Sequence, residues 1–267
     1  MKFSHLALIP LCLAVSSCSA AEVLGPRPNK EILQLARQAE ADASSLVDAP
    51  ATAELRQLHA EQLYAEIIRV CGTDDSGQPP RSCRVGENTS PSKGATDAYT
   101  LAHNAAAAGA AAAQSVPAES VALVVAQAID TAATQPLDFP KVNVTDDADV
   151  ATARAMLDQE YAFDYALGLC AAYTLDDVDQ RIIQLRKASS QRRAFLIDLI
   201  EPHGELPVSA PGYELGENTP TDESSAATLV EKLAEDMVLR WRATAATAES
   251  TAWAIAAITL AAQAQSA

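Results

Sequence analysis

The stretch Met156-Leu157-Asp158-Gln159-Glu160-Tyr161-Ala162-Phe163-Asp164-Tyr165-Ala166-Leu167-Gly168-Leu169-Cys170 decides the fold. Met156, Glu160, Phe163, Leu167 and Cys170 follow one another at alternating spacings of four and three, which is the seam of an amphipathic helix. Val178, Ile182, Leu185, Ser189, Arg192, Leu196 and Leu199 form the matching seam of the next segment. A carboxylate on such a seam is costly to bury unpaired, and Arg192 is placed to be the partner of Glu160. The expectation is a buried ion pair that fixes helix register. The other readings are an acid at the seam's edge that reaches solvent, and a polar pocket or relic ligand.

Outward from that pair, almost everything between the loops reads as helix. Lys30 to Val47, Ala51 to Val70, Ala95 to Gln114 and a fourth run from Pro117 to about Ala133 precede it. Asp149 to Tyr173, Leu175 to Ile200, Glu223 to Ala246 and Ala248 to Gln265 repeat the four-helix order. Pro50 and Pro117 mark boundaries, since proline is tolerated in a first turn and not in a helix interior. Turn-forming residues fill Cys71 to Lys93 and Pro202 to Pro220, and Gln135 to Asp147 carries Pro136 and Pro140. The Ala105 to Ala113 run reads as a helix whose small-residue face permits close approach. No segment alternates as a strand would.

The composition agrees. Hydrophobic residues make up 49% of the 267, enough for a packed core, while aromatics are only 4%. Acids outnumber bases 35 to 19, which argues against nucleic acid, because phosphate contacts need clustered Lys and Arg.

The first residues read as an export signal. Lys2 supplies the positive region and Leu6 to Val15 a ten-residue apolar run, too short to span a bilayer comfortably. Val15-Ser16-Ser17-Cys18 resembles a bacterial lipobox. That resemblance implies a signal peptide over 1–17, acylation (palmitate or a similar chain) at Cys18, and a lipid-anchored tether over 18–29 on the extracytoplasmic face of the cell membrane. The rival is secretion, with cleavage after Ala20. Loss of Lys2 takes the formal charge from −16 to −17, so the lipid rather than the surface is expected to hold the protein at the membrane. In that oxidising compartment Cys71 and Cys83, flanking a turn-rich loop, are expected to form a disulfide. A metal pair is the alternative, but no CxxC spacing is present. Cys170 reads as a small buried hydrophobe.

The two sets of helices share an ungapped diagonal. Gly86-Glu87-Asn88-Thr89 recurs as Gly216-Glu217-Asn218-Thr219, Leu55-Arg56 as Leu185-Arg186, and Ala118-Glu119-Ser120 as Ala248-Glu249-Ser250, all at an offset of 130. Duplication is the favoured explanation, against two unrelated helical halves. The expected organisation is two tandem four-helix bundles, each with its own core, over 30–134 and 149–267, joined by a linker at 135–148.

Asp158-Gln159-Glu160-Tyr161-Ala162, Ser189-Ser190-Gln191-Arg192-Arg193-Ala194-Phe195-Leu196 and Ala210-Pro211-Gly212-Tyr213-Glu214-Leu215 carry a further likeness. In order and spacing they resemble an actinobacterial ferritin-like domain family of unknown function, from Asp149 to the C-terminus. The resemblance implies a four-helix bundle and no established activity. Where that family usually has a His three residues before the paired arginines, this chain has Ser189, and where an Asp usually follows them it has Ala194. At the offset of 130, His59 falls opposite Ser189 and Lys30 opposite Glu160.

Chemistry-bearing motifs are scarce. A carboxylate-bridged metal pair on such a bundle needs Glu-x-x-His, and Arg56, Thr100 and Ile200 stand three residues before His59, His103 and His203. Walker, Gly-x-Gly-x-x-Gly and Gly-x-Ser-x-Gly patterns are missing. Glu160, Tyr161, Arg192, Arg193 and Tyr213 remain as pocket candidates, with Arg193 read as a surface or carboxylate-paired residue and Tyr213 as a ring that pins its loop. The favoured reading is a membrane-anchored, non-catalytic binding or scaffolding module that needs no cofactor. The alternative is a metal- or redox-active enzyme on the same bundle.

Overall fold

A computed structural model describes residues 25–73, 77–85, 93–214 and 219–267. Cys18 and most of the Gly-Glu-Asn-Thr repeat lie outside the described residues. The described chain is all helix and loop: α1 (Lys30–Ser45), α2 (Pro50–Cys71), α3 (Ala98–Ala113), α4 (Val121–Ala132), α5 (Asp147–Cys170), α6 (Asp176–Ile200), α7 (Glu223–Ala246) and α8 (Thr251–Ser266). None of these helices is long and apolar enough to cross a membrane.

Local sequence sets the starts. Asn29 caps α1, accepting from Glu31 N and Ile32 N at 3.1 and 3.0 Å. Asp97 and Asp146 do the same for α3 and α5, and Asp222 with Ser225 closes a capping box on α7. Pro50 occupies the first turn of α2. Pro117 instead precedes a short 3-10 turn, Ala118–Ser120, and α4 begins after it.

Neighbouring helices pair as α1 with α2, α3 with α4, α5 with α6 and α7 with α8. The α3–α4 hairpin then packs on α7–α8, through α3 on α8, α4 on α7 and α4 on α8. Helices α5 and α6 also pack on α7 and α8, and α2 reaches α4. α8 is buried on almost every side, from Trp253 to Ala264, as a helix apolar all round must be.

The expectation of two independent cores is therefore corrected. Ala105, Ala110, Val125, Ile129 and Ala132 of α3 and α4 lie in one cluster with the apolar residues of α5–α8. Only a smaller cluster, around Ile32, Ala36, Leu63 and Ile67, belongs to α1 and α2, and Val124 joins it from α4. The physical reason is that α3 and α4 are apolar on more than one face, so the hairpin has two faces to bury. The 135–148 segment is likewise not a free linker: Val144 is buried, and Leu137, Phe139 and Val142 pack against the larger core. The expected tether is docked where it is described, since Ser82 Oγ donates to Pro26 O at 2.6 Å.

Cys71 and Cys83 form the disulfide, with Cα atoms 6.4 Å apart. Closing so short a loop is worth about 3 kcal/mol on the chain-entropy account.

Gly109 marks the tightest approach. A Cβ built there would stand 2.3 Å from Ala128 Cβ and 3.4 Å from Ile258 Cδ1, so α3, α4 and α8 meet over a glycine. Gly168, also inside a helix, has nothing within 4 Å of such an atom. Replacing glycine by alanine inside a helix normally gains up to about 1 kcal/mol, while overpacking costs about 1–3 kcal/mol. Gly168→Ala is expected to raise the Tm and Gly109→Ala to lower it, read by thermal unfolding of both variants.

Candidate functional site

Glu160 sits at the centre of the larger core with no exposure to solvent, and Ser189, Arg192 and Trp241 around it are as deeply buried. Arg192 Nε donates to Oε1 at 2.6 Å and Nη2 to Oε2 at 3.0 Å. Ser189 Oγ donates to Oε2 at 2.7 Å and Trp241 Nε1 to Oε1 at 2.8 Å. The guanidinium continues outward, Nη1 donating to Gln263 Oε1 at 2.8 Å, and Gln263 Nε2 donates to Gln191 Oε1 at 2.8 Å. One ion pair thus ties α5, α6, α7 and α8 together. Both carboxylate oxygens are occupied by protein donors, so this arrangement holds a helix register and offers the carboxylate to nothing else.

The other pocket candidates lie apart from it. Arg193 Cζ stands 5.6 Å over the Tyr161 ring, and its Nη2 is 3.6 Å from Asp164 Oδ1. Arg186 holds the same Asp164 with two hydrogen bonds, at 2.9 and 3.3 Å. Tyr213 packs its ring on Tyr165 with centroids 5.5 Å apart, while its hydroxyl accepts from Ala210 N at 3.2 Å. The five residues therefore form an interior pair, a half-buried pair and a loop contact rather than one pocket. Cys170 is buried, and burial pushes its thiol up from the ordinary value.

His59, opposite Ser189 at the offset of 130, has a different setting. Arg56 Nη1 lies 3.2 Å from His59 Nδ1. A guanidinium only donates, so Nδ1 accepts and the ring proton of the neutral tautomer sits on Nε2. That atom is buried without a hydrogen-bond partner, and Asp130 Oδ2 is 3.8 Å away. Asp130 in turn accepts from Arg242 of α7, and from Gln265 of α8 at 3.0 Å. Burial alone would raise the Asp130 carboxyl, but the His59 ring, Gln265 and the Arg242 charge hold it below the usual range. Glu66 is also lowered, chiefly by its bonds from Arg69 against the opposing effect of burial, with Ser120 assisting. His103 is exposed and stacks on Tyr99 at 3.8 Å, and the His203 carbonyl accepts from Arg154 Nη2 at 2.7 Å. Among the described residues no three His, Cys, Asp or Glu side chains converge to hold a metal ion.

The structure adds a feature that reading for chemical motifs missed. A cleft of about 340 Å³ opens between α1, α2, α3 and α4. Leu35, Leu63, Leu101, Ala108, Ala112 and Val124 make its apolar walls. Asp42, Arg56 and Lys93 are its charged residues. Asp42 is buried and accepts from Gln38 Nε2 at 2.8 Å and Ala95 N at 2.7 Å on Oδ1, and from Arg56 Nε at 3.1 Å and Nη2 at 2.9 Å on Oδ2. The cleft exists because α3 is short of side chain. It meets the cleft with Ala105, Ala108, Gly109 and Ala112. α7 packs on α5 through Trp241 and Glu160, whereas α1 is not among the helices that α3 packs closely against. The alanine run was the available signal. A second, wider groove of about 820 Å³ runs between residues 133–139, α6 and α8, over the stacked rings of Phe139 and Phe195.

Two outcomes follow from these networks. Glu160→Gln leaves Arg192 as an uncompensated buried charge and is expected to cost about 3–5 kcal/mol, while Trp241→Phe, which removes one donor, costs distinctly less. Urea midpoints of the two variants check the order. Carboxylates whose folded pKa is depressed stabilise the native state above their unfolded pKa and cease to do so as pH falls through the folded one. Asp130 and Glu66 therefore contribute fully at neutral pH and lose their contribution below about pH 4. Asp130→Asn is expected to lower stability at pH 7 and to flatten the acid limb, measured by urea unfolding from pH 7 to 2.

No curated protein and no solved structure matches the chain. Residues 151–267, which take in nearly all of α5 and the whole of α6–α8, match the family described as a domain of unknown function (DUF4439).

Proposed function

We propose that this protein is a lipid-anchored, extracytoplasmic binding module, non-catalytic, with two ferritin-like helical halves that arose by duplication. The cleft of the first half is the observation that carries binding. It is concave, mostly apolar and fitted with a few polar groups, which is the form of small-ligand sites. Lipidation at Cys18 rests on the Leu6 to Val15 run and the Val15-Ser16-Ser17-Cys18 sequence. The Cys71–Cys83 disulfide agrees with an oxidising compartment.

Duplication draws support from the way the halves meet. Under it α3 corresponds to α7 and α4 to α8. The contacts α3 on α8 and α4 on α7 then exchange with each other, α4 on α8 maps onto itself, and α2 on α4 matches α6 on α8. Such reciprocity is what an isologous two-fold interface requires, so the halves read as a dimer fused into one chain. In this form the repeat shares a core instead of closing two. The fixed offset does not hold residue by residue: Arg56 is the seventh residue of α2 and Arg186 the eleventh of α6, and Lys30 is the first of α1 where Glu160 is the fourteenth of α5, so the reading rests on helix order and contacts and not on matched turns.

Two measurements test the reading. Cys18→Ser is expected to move the protein out of the membrane fraction or leave it unprocessed; unchanged mature size and membrane partition would remove the anchor. A neutral solvatochromic probe, N-phenyl-1-naphthylamine, is expected to shift to the blue with the purified mature chain. Ala108→Phe, which places a ring at the cleft, is expected to abolish that shift; a shift that survives the ring places the probe elsewhere.

A further inference from the structure

We propose, resting on the binding reading above, that the α1–α4 cleft takes the acyl chain of a free fatty acid, with its carboxylate at the Arg56–Lys93 end. The walls select the tail. Leucine, alanine and valine line the cleft and no aromatic ring does, so nothing there stacks on a base or a planar ring system. At about 340 Å³ it lies at the small end of ligand sites, which suits one slim chain better than two.

The polar groups select the head. Asp42 brings no free negative charge, because four donors occupy its two oxygens. Of the five guanidinium N–H groups of Arg56, three are used, two on Asp42 and one on His59. Two donors remain. Lys93 is exposed and is held at the same end, because its carbonyl accepts from Gln38 Nε2 at 3.1 Å and Ala95 N donates to Asp42. Gly94 permits that placement: a Cβ there would stand 2.1 Å from Ala41 O, so the segment lies flat against α1. With Asp42 and Arg56 cancelling, Lys93 leaves the cleft one positive charge on a chain whose formal charge is −16. A monoanion is the complement. Gln127, also in the cleft, gives its amide hydrogens to His59 O at 3.1 Å and Gln62 Oε1 at 2.9 Å, whereas Asn104 adds a neutral amide to the lining, which the comparison with dodecanol tests.

The experiment is competition against N-phenyl-1-naphthylamine on the purified mature chain, with dodecanoate, dodecanol, dodecyltrimethylammonium and a single-chain lysophosphatidate. Dodecanoate is expected to displace the probe at concentrations at least tenfold below dodecanol, with the ammonium compound weakest. Lys93→Glu is expected to weaken dodecanoate about tenfold while leaving dodecanol and the Tm unchanged. Dodecanol equal to dodecanoate, or no effect of Lys93→Glu, overturns the carboxylate assignment. Lysophosphatidate binding more tightly than dodecanoate assigns the head to a phosphate and overturns it too. A bound probe that no chain displaces overturns the acyl ligand while the binding module stands; a probe that does not bind overturns the module itself.

Discussion

At Gly109 a single added carbon would stand within 2.3 Å of Ala128 and 3.4 Å of Ile258, and that absence of side chain lets α3, α4 and α8 meet. Ala128 lies on the adjacent helix of the same half and Ile258 on the last helix of the other. With α3 that close to α4 and α8, the apolar residues of α3 and α4 are committed to the larger core. Helices α1 and α2 are then left to cover the outer face of the hairpin with a much smaller apolar cluster. A core packed to crystal-like density tolerates neither a void nor an extra carbon at its seam, so the interhelical distance fixed there propagates to every helix that rests on α8.

Two polar systems secure that core in different ways. The Glu160–Arg192 pair is entirely internal and binds four helices of the second half to one another. Asp130 sits instead where the halves meet, between His59 of α2, Arg242 of α7 and Gln265 of α8. Burial makes the first arrangement directional. A charge removed from water must find its partners in one geometry or lose several kcal/mol, so the Glu160–Arg192 network admits one register of the helices it joins, while the partly exposed Asp130 cluster constrains them less.

Much of this was legible in the residues, and the part that was not has a physical cause. Helical period, the boundary prolines and the turn-rich loops placed all eight helices, with α7 at its expected limits and the others within a few residues. The four-three spacing put Glu160 and Arg192 on facing seams, where they meet. Periodicity states which face of a helix is buried but not against what. An alanine helix has hardly any polar face to mark its outside, so the sharing of α3 and α4 between the halves could not be read from it. Trp241 was not singled out, because its role depends on an acid 81 residues away in sequence. The cleft was invisible for a related reason: it is made by side chains that α3 lacks, and a search for reactive residues passes over alanine.

On the proposed duplication the difference between the halves has a single origin. Each half has a helix pair laid against a central hairpin. In the second, Trp241 reaches from α7 to the carboxylate on α5 and fills the space between them. In the first, α3 meets the cleft with Ala105, Ala108, Gly109 and Ala112, and at the offset of 130 Gln62 stands opposite Arg192. Without such a ring on α3, α1 is held by Asp42, Arg56 and the backbone at Ala95. Those bonds secure the rim and leave the middle open. A fused pair of equal bundles can carry such a gap because the larger core, shared by six helices, does not depend on the packing of α1. The half whose interior Glu160, Arg192 and Trp241 fill supplies rigidity, and the half without them supplies a cavity.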